Sequence, residues 1–375
     1  MPERKNARNS NPKTGPQRVG LKFIGEYLGL SPATISIVLN DSPAAKVIPE
    51  PTKRRIFEAA EKFNYRANFF ARSLRHNRTY TVAVLMPEMS EGYTASIVAA
   101  LEEEFVRDDY SYFITSHHHR ADLVDELPRK LMDRAEGLIL INTHLHHAPP
   151  MPAVVISGHA NFPGVTNITI DNYKGGFLAV EHVAQLGHKK VAFLKGHRGS
   201  ADTDDRWAGT LSGAAKYGIE VRPELTVQLG GEDWVTGPCT PQQGCEDTHK
   251  LLARNESFTA IVGFNDVAVI GAMRALREVG LRVPEDVSVI GFDDIDSAAY
   301  QNPSLTTVRQ PLREMGRLAA KTLLEKITRN DETPRTIRLE PELIVRESTA
   351  PLVSTASTVA PNIAARRRKS LAKTI

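Results

Sequence analysis

Between residues 22 and 66 the apolar positions fall three and four apart, whereas beyond residue 80 they gather into short solid runs. In the first stretch, residues 22–28 read as a helix that stops at Gly29, a residue suited to a left-handed C-terminus. A second helix begins after Ser31, a capping residue followed by Pro32 at the first helical position, where a missing N–H costs nothing. It carries Ile35, Val38 and Leu39 on one face and ends near Asn40. A third spans about 51–64, with Ile56, Ala59, Ala60 and Phe63 at helical spacing. From Tyr80 onward, β-rich runs alternate with helical stretches: 82–86 then 97–107, 112–115 then 123–132, 137–141, 154–157, and 168–170 then 175–185. The alternation resumes with 191–194, 206–217, 226–229, 244–252, 260–263, 266–278 and 287–291. Such alternation implies right-handed crossovers and parallel sheets covered on both faces. About ten strands exceed one ordinary sheet, so two doubly wound subdomains are expected.

The ends break this pattern. Residues 1–18 are polar, with Pro and Gly, and are expected to form a disordered arm; residues 351–375 read as a disordered basic tail without sustained heptad spacing. The 375-residue chain is 41% hydrophobic and 24% charged, which suits a globular protein. Its apolar runs are strand-sized, far short of the ~20 residues of a membrane span. The N-terminus lacks the apolar core of a signal peptide, and two cysteines, Cys239 and Cys245, are too few for a disulfide scaffold. A cytoplasmic location is expected. The net charge of +3 conceals an asymmetry: residues 1–80 carry +9, 81–350 carry −11 and 351–375 carry +5. A basic head on an acidic body suggests that the head meets a polyanion and the body does not.

The turn at Gly29 makes residues 21–40 a helix-turn-helix, whose second helix belongs in the major groove of DNA. Ser31, Thr34, Ser36 and Asn40 place short hydrogen-bonding groups there. A plain three-helix bundle would explain the turn but not the charge. Catalysis finds little support, because there is no phosphate-cradling Gly-rich loop with Lys-Ser/Thr, no Gly-x-Ser-x-Gly and no His-Glu-x-x-His.

The stretch Ile24-Gly25-Glu26-Tyr27-Leu28-Gly29-Leu30-Ser31-Pro32-Ala33-Thr34-Ile35-Ser36-Ile37-Val38-Leu39-Asn40 resembles the head of the lactose-repressor (LacI/GalR) family of transcriptional regulators. Asn64-Tyr65 and Ala71-Arg72-Ser73-Leu74 resemble the family's third-helix end and hinge helix. In the body, Ile170-Asp171-Asn172, Leu186-Gly187-His188-Lys189, Arg206 with Ala208-Gly209, Asn265-Asp266, the run from Gly280 to Asp294, and Pro303-Ser304-Leu305-Thr306-Thr307-Val308 match as well. The resemblance covers about residues 19–350. It implies an α/β chain with an all-α helix-turn-helix head (19–66), a hinge helix and linker (67–79) and a periplasmic-binding-protein-like body (80–350). One body subdomain would comprise 80–172 and 306–335, the other 173–305 and 336–350. It further implies a homodimeric repressor bound to a palindromic operator in double-stranded DNA and controlled by a small, sugar-like effector, with no cofactor and no membrane. The DNA-facing residues would be Ser31, Pro32, Ala33, Thr34, Ser36, Ile37, Asn40 and Thr52, with Asn68, Ala71 and Leu74 in the hinge, Leu74 being the wedge into the minor groove. Ile37 stands where the family often has arginine, and it cannot read guanine by paired hydrogen bonds.

Strand ends nominate the effector site: Tyr93, Ser157, Asp202, Arg206, Trp234, Asn265 and Asp293. A guanidinium fork at Arg206 suits hydroxyls or a carboxylate, and Trp234 offers a flat face to a sugar ring. Seven of the twelve histidines (His117, His118, His119, His144, His146, His147 and His159) also follow strands. Their spacing is not that of a structural zinc site, and no metal centre is expected. A solute-binding protein for a transporter would share the body but would need a secretion signal and have no basic head.

Overall fold

Ile24, Ile35, Val38, Ile56 and Ala59 lose nearly all their surface to one another and knit the head together. They lie on three helices, α1 (Leu21–Leu28), α2 (Pro32–Leu39) and α3 (Glu50–Lys62). The first ends as its sequence requires, with Gly29 at φ 69°. The second starts where Ser31 Oγ accepts the Thr34 N–H at 3.1 Å. A 3-10 turn, Pro43–Val47, occupies the connection to α3. The computed structural model describes residues 20–39, 42–65, 78–89, 92–158, 160, 162–196, 202–230, 239–329 and 333–353. The chain divides into two units, residues 1–79 and 80–375.

The body begins with β1 (Thr81–Met86), α4 (Tyr93–Arg107), β2 (Ser111–Ser116), α5 (Ala121–Leu131), β3 (Gly137–Ile141), β4 (Ala153–Ile156) and β5 (Val165–Ile170). Next come α6 (Asn172–Gln185), β6 (Val191–Lys195), α7 (Thr203–Tyr217), β7 (Thr226–Gln228), α8 (Pro241–Ala253) and β8 (Ala260–Gly263). The chain continues through α9 (Asp266–Glu278), β9 (Ser288–Asp293), α10 (Asp296–Ala299) and β10 (Thr306–Arg309), and ends its regular structure with α11 (Leu312–Arg329), β11 (Arg335–Leu339) and β12 (Glu342–Ile344). The strands form two six-stranded sheets, ordered β11-β5-β4-β3-β1-β2 and β12-β10-β9-β8-β6-β7. Every pairing is parallel except β10 with β12. Central strands such as β1 and β3 are buried along their whole length, which explains their solid apolar runs.

Helices α6 and α7 pack at unusually close range. A Cβ on Gly176 would collide with the Arg206 carbonyl, and one on Gly209 with the Tyr173 backbone. This contact fixes the start of α7, and with it Arg206, against the second sheet.

Two expected subdomain boundaries move. β10 belongs to the second sheet, with Thr306 opposite Ile290 of β9, and β11 belongs to the first, with Arg335 opposite Thr166. The chain therefore crosses between subdomains near Gln310 and Glu340, rather than at 306 and 336. Local sequence could not show this, because a strand's sheet is chosen by partners far along the chain. At the far end, residues 351–353 are not part of a free tail, since the Leu352 N–H donates to the Leu186 carbonyl at 2.8 Å. Among the described residues, no helix is long and apolar enough to cross a membrane.

Candidate functional site

Each sheet contains the same reversal of strand order, β2-β1-β3-β4-β5 in the first and β7-β6-β8-β9-β10 in the second. Ligands of doubly wound sheets lie at the carboxyl ends of strands beside such a reversal. From the first sheet, β1 leads to Tyr93 and β4 leads to Ser157, whose φ of 51° turns the chain sharply after the strand. The Tyr93 hydroxyl donates to Ser157 Oγ at 2.6 Å. From the second sheet, β6 leads to Asp202 and Arg206, β8 to Phe264 and Asn265, and β9 ends in Asp293.

These groups share one electrostatic environment. Burial, followed by the carboxylates of Asp202 and Asp293, raises the Tyr93 hydroxyl above its ordinary range, with Ser157 and Arg206 opposing. Arg206 itself is buried, 5% exposed. Its Nε and Nη2 donate to Asn172 Oδ1 at 3.2 and 2.9 Å, and Nη1 donates to the Phe264 carbonyl at 2.6 Å. The guanidinium lies 3.5 Å from the Phe292 ring centre and 4.4 Å from that of Phe264. Burial lowers its pKa, while Asp293 and Asp202 pull it back up. These bonds engage three of its five N–H donors.

Asp293 is equally enclosed. Burial pushes its carboxyl up to about 7; Arg206 and the Gln310 side chain oppose the rise, and Asp202 adds to it. Gln310 Nε2 donates to Asp293 Oδ1 at 2.6 Å. The neighbouring carboxylates have other tasks. Asp294 holds Arg309 and Arg346 at 2.7 and 2.6 Å, and Asp266 accepts from Thr307 Oγ1 at 2.6 Å and the Ile295 N–H at 3.0 Å. The adjacent pair Asp293-Asp294 is thus one cleft group and one structural group, not a catalytic pair.

The structure brings Tyr93, Ser157, Asp202, Arg206 and Asp293 together. Asn265 lies beside them but caps α9, its side chain accepting the Ala268 N–H at 2.9 Å, with Cys239 Sγ at 3.4 Å from its Nδ2. Burial raises the Cys239 thiol to about 12, and Asp293 from its own subdomain and Glu88 from the other both add to the rise. Trp234 and His159 lie outside the described residues. Sequence reasoning missed Asn172, Gln310, Phe264 and Phe292. Gln310 and Phe264 follow strands directly, a signal that could have found them; the roles of Asn172 and Phe292 depend on packing against Arg206.

Most of the described histidines have side-chain partners. His117 is buried, and its Nε2 lies 3.2 Å from Thr143 Oγ1. Because that hydroxyl donates to the Ile141 carbonyl, it accepts from His117, which places the imidazole proton on Nε2. Burial drives the His117 pKa down to about 4, helped by His119 and His118 and opposed by Glu88. His119 pairs with Glu88, and His146 and His147 both reach Asp125.

In the head, Ser31, Pro32 and Ala33 are exposed at the first turn of α2, and Thr34, Ile37 and Thr52 are half-buried. Ser36, also expected on the DNA-facing side, is buried, 4% exposed. Asn40, Asn68, Ala71 and Leu74 lie outside the described residues.

A family model described as a periplasmic binding protein-like domain matches residues 180–349. The HTH-type transcriptional repressor PurR of Actinobacillus pleuropneumoniae serotype 3 is 30% identical over 339 residues, covering 88% of this chain and 97% of that one. The chain belongs to the LacI family of transcriptional repressors. PurR of Haemophilus influenzae strain Rd is also 30% identical, over 341 residues, with 88% and 98% covered. Among solved structures, the lac repressor dimer bound to operator and the anti-inducer ONPF matches with a TM-score of 0.76 at 25% identity, covering 89% of this chain and all of that one. The CelR regulator–cellobiose complex matches at 0.63 and 26%, covering 88% and 100%. This member of the LacI family is a DNA-binding repressor under effector control, not an enzyme.

Proposed function

We propose that this repressor acts in the cytoplasm as a homodimer on a palindromic operator, and that a neutral, polyhydroxylated effector of the sugar class sets its DNA affinity from the cleft between the body subdomains. The observation that carries the effector reading is the set of buried Arg206, Asp202, Asp293 and Ser157 with the half-buried Tyr93 at the strand ends of both sheets. Its carboxylates and hydroxyls accept and donate in many directions, as ring hydroxyls require, and the faces of Phe264 and Phe292 beside Arg206 supply apolar surface. The acceptor-rich balance, with Glu88 close by, disfavours an anionic ligand. Structures of relatives solved with cellobiose and with ribose support the class.

On the DNA side, Ser31, Pro32, Ala33, Thr34 and Ile37 are the recognition surface, with Thr52 toward phosphate and Asn40, Asn68, Ala71 and Leu74 completing it. Pro32, Ala33 and Ile37 suit thymine methyls rather than purine hydrogen-bonding edges. Effector binding must favour one closure of the body over the other to change operator affinity. Selection of bound fragments from random duplex, followed by calorimetric titration of a sugar panel in the presence and absence of the selected duplex, tests both halves. An effector whose affinity is unchanged by operator would remove the coupling.

A further inference from the structure

Away from the cleft, Cys245 and His249 sit four residues apart on α8, hence on one face, and Glu278 closes the neighbouring helix α9. We propose that these three side chains form a site for a borderline transition-metal ion, zinc(II) first. One ligand atom from each lies within 4.8 Å of the others. His249 Nε2 is 2.8 Å from Glu278 Oε2, and Cys245 Sγ is 3.9 Å from the same oxygen. Thiolate, imidazole and carboxylate together are a zinc donor set, and three protein ligands leave the fourth tetrahedral position to water. Metal–ligand bonds of about 2.0–2.3 Å place neighbouring donors roughly 3.3–3.8 Å apart. The sulfur, 3.9 Å from the carboxylate oxygen, is within a few tenths of an ångström of that spacing. The imidazole has to draw back, exchanging its hydrogen bond for a metal bond, while the sulfur closes in slightly.

Two features make this more than a surface ion pair. The helices beneath the site pack at close range: a Cβ on Gly271 would strike the Pro241 carbonyl and crowd the Cys245 N–H, and one on Gly244 would strike Ala268. The carboxylate is also aimed. Arg274 Nε donates to Glu278 Oε1 at 2.8 Å, which turns Oε2 toward Cys245 and His249, the kind of outer partner that orients a metal ligand. An ion has access, since the His249 and Glu278 side chains are 38% and 41% exposed. Both cysteines are free thiols. Among the described residues, the histidine-rich turns bring no three such donor atoms equally close.

The test uses the full chain, stripped of metal with a chelator and titrated with cobalt(II), a spectroscopic stand-in for zinc. The expected result is a near-ultraviolet thiolate-to-cobalt charge-transfer band, saturating at one ion per chain and erased by added zinc. Cys239→Ser keeps the band and Cys245→Ser abolishes it. His249→Gln and Glu278→Gln each keep the fold, checked by circular dichroism, and weaken binding at least about tenfold. Absence of the band in the wild type, its survival in Cys245→Ser, its loss in Cys239→Ser, or unchanged affinity in both His249→Gln and Glu278→Gln overturns the assignment.

Discussion

Arg206 is held rigidly and is also the proposed effector contact. Its bonds to Asn172 and the Phe264 carbonyl lock the guanidinium in place, and its charge offsets the buried Asp202 and Asp293. Arg206→Ala should weaken effector binding by about tenfold to a hundredfold, the worth of hydrogen bonds from a charged donor. It should also lower the melting temperature of the body, because two buried carboxylates lose their cation. Operator affinity of the effector-free protein, measured by fluorescence anisotropy below that temperature, should persist; equal effector affinities in mutant and wild type would remove Arg206 from the site. Asp293 gives a pH signature. Its carboxyl sits near 7 in the folded protein, against an ordinary value of about 4, so the folded state binds the extra proton. Its contribution to stability is therefore present below about pH 4 and is lost as pH rises to about 7. The groups that bear on it are Arg206, Asp202 and Gln310. A ligand whose hydroxyls donate to the ionised form should bind about tenfold more tightly at pH 8 than at pH 6, a slope that Asp293→Asn abolishes in calorimetric titration.

At the scale of elements, close helix contacts and caps decide where the functional groups stand. Gly176 lets α6 approach the Arg206 carbonyl, so Gly176→Ala must push α7 away. It should cost about 1–3 kcal/mol of body stability by calorimetry and reduce effector affinity as well, since Arg206 rides on the displaced turn. Unchanged effector affinity in a destabilised Gly176→Ala protein would show that α7 has slack. In the head, Ser31 accepts the Thr34 N–H and so sets the start of α2. Ser31→Ala should remove about 1 kcal/mol from the head's stability in urea denaturation. Most elements of the body were legible because solid apolar runs and helical spacing are local properties. β8 and α9 fall where the run Ala260–Gly263 and the helical face after Asn265 place them. The edge strand β11 was not legible: Arg335–Leu339 is largely exposed and exists through its pairing with β5.

For the whole molecule, the charge asymmetry leads to a prediction about DNA. A head region of balance +9, doubled in a dimer, releases counterions on meeting phosphate, so log affinity for operator should fall steeply and linearly with log salt. Effector affinity, governed by a buried cleft, should change little over the same range. An operator affinity insensitive to salt would contradict the assignment of the basic head to phosphate. The two sheets also show why function is divided as it is. Three connections cross between subdomains, and the one at Gln310 carries a side chain that touches Asp293. A change in cleft closure therefore acts directly on a crossing strand, a physical route from ligand to subdomain geometry.

By itself the sequence determined the helix-turn-helix, the two-fold alternation of strands and helices, the family, and five of the seven residues nominated for the cleft that the structure gathers: Tyr93, Ser157, Asp202, Arg206 and Asp293. Those rest on local spacing and on position after a strand, which chain order preserves. Tertiary structure alone decided which sheet receives β10 and β11, that Ser36 is buried, and that Asp293 differs from Asp294 in its partners. It also decided that Cys245, His249 and Glu278 meet, on helices whose glycines let them touch. Burial and hydrogen-bond partners come from residues tens of positions away, and no local pattern carries that information.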